Sequence, residues 1–209
     1  VLISGSNARL GATDANALVF GAGALATCSG NSTPYGTSAP GSVHFQSGSI
    51  CVVSGPCDVF GAPAPASVVT FEPGSLYRLT SNTLPTLSGR TFADFELNSA
   101  SLSPTPATGA AATYMQNVTL KAGNMVLHLG DLHIRGNVVL QGGSVTFTPG
   151  SSTSISLDGS TPQTLSRTSG SWQFNSNAHL KFLNPSGITL ASGFVAPAKA
   201  TLDAACTRA

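Results

Sequence analysis

Phe20-Gly21-Ala22-Gly23-Ala24, Phe45-Gln46-Ser47-Gly48-Ser49 and Phe71-Glu72-Pro73-Gly74-Ser75 repeat one phrase: an aromatic residue, then glycine three positions later, then a small residue. The phenylalanines are 25 and 26 residues apart, and a fourth copy at Phe147-Thr148-Pro149-Gly150-Ser151 follows 76 residues on, about three further steps. A period of roughly 20 to 50 residues marks stacked supersecondary units, none of which can bury its apolar face alone. Leu18, Phe20 and Leu25 align with Val43, Phe45 and Ile50, and then with Val69, Phe71 and Leu76. Each Phe shares a strand face with the residue two before it, because side chains alternate with period 2. The glycine permits a tight corner, and the Leu or Ile beyond it is expected to open the next strand facing inward. Coils of this kind place each strand beside its equivalent in the next coil. The expected fold is all-β, a parallel β-helix or β-solenoid with coils of about 25 residues and few or no helices.

The second half carries the theme less regularly. Val118, Leu120, Leu127, Leu129, Leu132, Ile134, Val138, Leu140, Val145, Phe147, Ile155 and Leu157 alternate with polar neighbours, as do Trp172, Phe174, Leu180, Phe182, Ile188 and Leu190. No stretch holds helical spacing over three turns. Residues 99–116 interrupt the pattern and are expected to form an inserted loop or irregular coil within a single array spanning 1–209.

Only 8% of the 209 residues are charged, and Ser and Thr make up about a quarter. A hydrophobic content of 41% argues against disorder. A surface kept wet by hydroxyls and amides suits an extracellular or cell-surface product. The nine basic residues are scattered and the net charge is +1, which disfavours nucleic acid as a partner. No apolar run reaches the roughly 20 residues of a membrane-spanning helix. Val1-Leu2-Ile3-Ser4-Gly5 reads as a strand and not as a signal peptide, so the chain is expected to be a mature product or a segment of something longer. No cofactor is expected.

Ser88-Gly89-Arg90-Thr91-Phe92-Ala93-Asp94-Phe95-Glu96-Leu97-Asn98 resembles a recurrent segment of large, repeat-rich secreted surface proteins of type IX-secreting, Bacteroidetes-like bacteria. Gly143 to Gly150, Leu157 to Ser166 and Gly187 to Gly193 resemble further coils of the same kind. The resemblance implies an extracellular β-solenoid segment, often a stalk or adhesive region, and brings no catalytic residues with it.

The four cysteines lack metal-site spacing. Cys51 and Cys57 bracket a short loop and are expected to pair, leaving Cys28 and Cys206 near opposite ends, too far apart for one molecule but free to bridge neighbours. His128, Asp131 and His133 flank a glycine corner and form the metal candidate, against the simpler reading of a solvated face. Asp94 and Glu96 should share an outward face, where they could hold calcium or serve acid/base chemistry on a sugar, or simply be solvated. Tyr77, beside an inward Leu76, should face out as a carbohydrate contact, whereas Trp172 reads as core. Outward hydroxyls at Thr119, Thr146, Thr148, Ser154, Ser156 and Thr189 raise ice binding as a third option. Asn31-Ser32-Thr33 and Asn117-Val118-Thr119 fit the glycosylation sequon.

The leading expectation is a non-enzymatic structural or adhesive module contacting glycans of a cell surface or matrix, or itself by end-to-end stacking into a filament. A carbohydrate-binding or polysaccharide-degrading module on the same scaffold is the alternative. It would need carboxylates and cations from different coils to converge.

Overall fold

The computed structural model describes residues 1–30, 33–36, 38–103, 107–147, 154–174, 178–191, 194 and 199–202. All of its strand ladders are parallel, and no helix occurs among these residues. The longest sheet runs through β1 (Leu2–Ile3), β3 (Leu25–Cys28), β5 (Ile50–Val53), β7 (Leu76–Leu79), β9 (Asp94–Asn98), β12 (Val118–Ala122), β15 (Val138–Leu140), β18 (Gln163–Arg167) and β21 (Ile188–Leu190). A three-stranded sheet holds β2 (Leu18–Phe20), β4 (Val43–Phe45) and β6 (Val69–Phe71). A six-stranded sheet holds β8 (Thr91–Phe92), β11 (Thr113–Met115), β14 (Asp131–Ile134), β17 (Ser154–Leu157), β20 (His179–Phe182) and β22 (Lys199–Leu202). A four-stranded sheet holds β10 (Ala107–Gly109), β13 (Asn124–Leu129), β16 (Ser144–Phe147) and β19 (Ser171–Phe174). The chain is a β-solenoid.

Phe20, Phe45 and Phe71 stand one above another, in register, with ring centroids 4.5 and 4.9 Å apart and planes within 10° and 15°. Equivalent positions continue up the long sheet as Ile3, Cys28, Val53, Leu79, Leu97, Leu120 and Leu140. From Cys28 onward that column gives coils of 25, 26, 18, 23 and 20 residues. Gly23, Gly48 and Gly74 all hold φ near +80°, the left-handed corner that only glycine adopts freely. A Cβ at Gly74 would also sit 2.5 Å from Ser47 Oγ.

The corner inverts side-chain parity. Ser49 and Ser75 fold inward, their hydroxyls donating to the carbonyls of Gln46 (2.6 Å) and Glu72 (2.7 Å). Leu25, Ile50 and Leu76 therefore open their strands outward, contrary to the sequence expectation, and Ala26, Cys51 and Tyr77 point into the core.

The cross-section changes part-way along. The first coils alternate between the three-stranded and the long sheet, with irregular chain on the third side. From β9 onward each complete coil visits the long, four-stranded and six-stranded sheets in turn. Ala107–Gly109 and Thr113–Met115, inside the stretch expected to be an insertion, are the first regular strands of the new third side and part of the second. The fourth phenylalanine phrase also changes place: Phe147 lies on β16, in register with Leu127 and Phe174, not in the column of Phe71.

Candidate functional site

Two polar clusters lie on the outer faces. On the long sheet, Glu96 is only 7% exposed at its side chain, and its carboxylate accepts from Arg78 Nε (2.6 Å) and pairs with Lys121 Nζ (2.8 Å). Register stacks Arg78, Glu96 and Thr119 on successive coils. Asp94 accepts from Asn117 Nδ2 at 2.7 Å, Asn117 Oδ1 accepts the Asn137 N–H at 2.8 Å, and Asn137 Oδ1 accepts the Thr164 N–H at 2.8 Å. Asp94 and Glu96 thus serve separate inter-coil rows and do not converge as an acid/base pair. The side-chain nitrogen of the Asn117 sequon is itself engaged; Asn31 lies outside the described residues.

On the six-stranded sheet, His133 bonds through Nδ1 to Asp158 Oδ2 (2.6 Å) and through Nε2 to Asp131 Oδ2 (3.0 Å). Its ring stacks on Tyr114 one coil earlier (4.7 Å), and Arg135 lies 4.6 Å from the same tyrosine ring. Ser154 donates to the other oxygen of Asp131 at 2.6 Å. Side chains from three successive coils meet here, yet the two ring nitrogens point apart, each at its own carboxylate. Both ring nitrogens are engaged by carboxylates in this arrangement. His128 stands across the Gly130 corner on a different sheet, paired with Thr108. Among the described residues no group of three His, Cys, Asp or Glu is placed to hold a metal ion. The three residues of the metal candidate are therefore not gathered: Asp131 and His133 join Asp158 in one polar row, and His128 stands apart.

A third cluster is buried where the cross-section changes. Arg90 is 2% exposed; its Nη2 donates to Asp58 Oδ2 (3.1 Å) and to the Gly61 carbonyl (3.0 Å), and its guanidinium lies 5.2 Å from the Phe60 ring centroid. Its Nε and Nη1 are buried without a hydrogen-bond partner. Burial lowers the proton affinity of this guanidinium, and Asp58 opposes the shift. Tyr77, expected outside as a sugar contact, is 0% exposed among Phe60, Phe71, Phe92 and Phe95. Burial, reinforced by Cys51 and Asp58 and opposed by Arg90, pushes its phenol well above the ordinary 10.0. Sequence reasoning counted Arg90 only as one of nine scattered basic residues. Its one hint was its place directly after the Ser88-Gly89 corner, where a coil begins.

The disulfide differs from expectation. Cys28 bonds Cys57, with Cα atoms 6.3 Å apart, and Cys51 is a buried free thiol. Cys51 occupies the inward column between Ala26 and Tyr77, whereas Cys57 lies beyond the end of β5, beside the end of the preceding strand where Cys28 sits. Burial pushes the Cys51 thiol up to about 12. With Cys28 bonded inside the molecule, its expected bridge to a neighbour is gone; Cys206 lies outside the described residues. A buried disulfide fits an oxidising compartment. Trp172 is half-buried beside Phe174 (5.9 Å).

The hydroxyls that raised ice binding are dispersed over different sheets. Thr119 lies on the long sheet between Glu96 and Val139, Thr146 on the four-stranded sheet, Ser154 and a buried Ser156 on the six-stranded one, and Thr189 is exposed on β21. Thr148 is outside the described residues. No helix among the described residues is long and apolar enough to cross a membrane. No family model matches the chain, and neither a curated protein nor a solved structure resembles it detectably.

Proposed function

We propose that this chain is a non-enzymatic, extracellular structural module, a stiff segment of a surface-exposed or adhesive protein. One observation carries the reading: several of its outward polar and charged side chains are engaged with one another, mostly across coils. Glu96 is saturated by Arg78 and Lys121, and His133 by Asp131 and Asp158; His44 joins Glu72 of the next coil (3.2 Å) and the Gly41 carbonyl (3.0 Å). Such rows staple a parallel ladder lengthwise and add stiffness, and they tie up the carboxylates of Glu96, Asp131 and Asp158 that acid/base turnover would need. The Cys28–Cys57 bond, low charge and the likeness of the Ser88–Asn98 segment to secreted repeat proteins support an extracellular setting.

The test is a screen of hydrolase and lyase activity on neutral and uronic-acid polysaccharides, run beside small-angle scattering. An elongated particle without turnover is expected. Nine parallel strands at about 4.8 Å per step put the ends of the long sheet roughly 38 Å apart. Turnover that vanishes in Asp131→Asn or Asp158→Asn would overturn the structural reading.

A further inference from the structure

The wall of the solenoid is interrupted at one place. β6 ends the three-stranded sheet and β8 begins the six-stranded one on the same side of the stack, and no ladder joins them. Val43 N–H donates to Val68 C=O (3.0 Å) and Glu72 N–H to Phe45 C=O (2.9 Å). By the alternation of a parallel ladder, Thr70 turns its main-chain groups to β4, while Val69 and Phe71 turn theirs away. On the far side Tyr114 N–H donates to Arg90 C=O (2.9 Å), so Thr91 turns its groups from β11 back toward β6. The Val69 carbonyl is covered by the Ser67 hydroxyl at 2.9 Å. The N–H of Val69 and both main-chain groups of Phe71 and Thr91 remain directed at the break.

A cleft of about 220 Å³ occupies the break. Phe60 and Phe71 form its floor, Ala64 and Pro65 one wall, and Thr70 and Thr91 its mouth; no charged side chain lines it. An apolar aromatic floor with a few convergent donors and acceptors is the usual make-up of a small-ligand site. One coil on, in register with Thr91, stands Tyr114. His133 and Arg135 hold its ring from the following coil, which leaves the short Thr91 on its other side.

We propose that the break between β6 and β8 binds one uncharged sugar ring of a glycan, with Tyr114 as the stacking platform for the neighbouring ring. The absence of charge in the lining matches a neutral polyol, whose hydroxyls can pair both orphan N–H and orphan C=O groups. A peptide adding as a strand fits poorly, because β6 offers three residues and β8 two. Aromatic rings take the apolar face of a sugar, and the Tyr114 ring is already immobilised. This deepens the adhesive reading by naming what is held.

The test is an amide NMR titration of the full chain with glucose, galactose, mannose and xylose, and with cellohexaose, mannohexaose and xylohexaose. Polygalacturonate and a Thr-Val-Thr-Val peptide serve as competitors. At least one neutral sugar should shift the amides of Val69, Phe71 and Thr91, in the millimolar range for a ligand of about a dozen non-hydrogen atoms. Thr91→Trp, at an exposed position on the mouth, should weaken binding about ten-fold or more by filling the site; Ala64→Trp repeats the test from the other wall. Tyr114→Ala should weaken a hexaose roughly three- to ten-fold and leave the single sugar unchanged. Silence of these amides toward all seven sugars, indifference to both filling variants, or tighter occupancy by the peptide would each overturn the proposal. Turnover in the activity screen would instead sink the non-enzymatic reading and leave this site standing.

Discussion

Replacing Phe45 by alanine tests the column on which the fold rests. Its side chain is 0% exposed and stacked on both faces, at 4.5 Å by Phe20 and 4.9 Å by Phe71, with the edge of Tyr35 at 6.5 Å. Truncating a core phenylalanine costs about 3–5 kcal/mol, counting both the lost transfer energy and the cavity left behind. Phe45→Leu keeps most of the apolar volume but loses two stacked pairs, each worth about 0.5–1.5 kcal/mol, so about 1–3 kcal/mol is expected. Coils contact chiefly their neighbours, so the damage should be greatest near the altered coil. Urea unfolding followed by circular dichroism reads the whole sheet, whereas fluorescence of Trp172 on β19 reads the far end. Hydrogen exchange should accelerate first in β4, β5, β6 and β7. A cost below about 1 kcal/mol for Phe45→Ala, or equal costs for the alanine and leucine variants, would refute a stacked column as the source of stability.

Four further outcomes follow from the same geometry. Removing the Cys28–Cys57 bond by paired serine substitutions should cost roughly 3–4 kcal/mol, from the loop its 29-residue separation closes; an unchanged denaturation midpoint would contradict that. Cys51, with its thiol raised to about 12 by burial, should carry thiolate on only about one molecule in ten thousand at pH 8; residue-resolved mass spectrometry should find it alkylated by iodoacetamide only after unfolding. Cys51, Tyr35 and Tyr77 all hold their protons more tightly when folded, so their contribution is complete below about pH 9 and is lost as pH rises through and beyond the ordinary 9.0 of a thiol and 10.0 of a phenol; a melting temperature flat from pH 8 to 11 would contradict this. Arg90→Met should cost about 2–4 kcal/mol, less than the loss of a fully buried pair because Asp58 is 29% exposed and can be hydrated, and Arg90→Lys should not restore the two bonds made by Nη2.

The phenylalanine phrases alone determined the solenoid, the length of its first coils and the stacking of Phe20, Phe45 and Phe71, because burial with period 2 and a glycine corner are local properties of a chain. The same local logic failed wherever a partner one coil away decided the outcome. Tyr77 was misplaced because Ser75 bends into the corner and shifts the parity by one residue. Cys57 reaches Cys28 and not Cys51 because neighbours in a solenoid are about one coil apart in sequence. Phe147 repeats the phrase but sits on another side, since the number of strands per coil changes between β6 and β9. The rows Arg78–Glu96–Lys121 and Asp131–His133–Asp158 required the register between unequal coils. The cleft between β6 and β8 is a property of the break itself. Short-range pattern chose the kind of fold; only the alignment of successive coils chose which side chains meet, because contacts across a parallel stack depend on coil lengths that local periodicity leaves free.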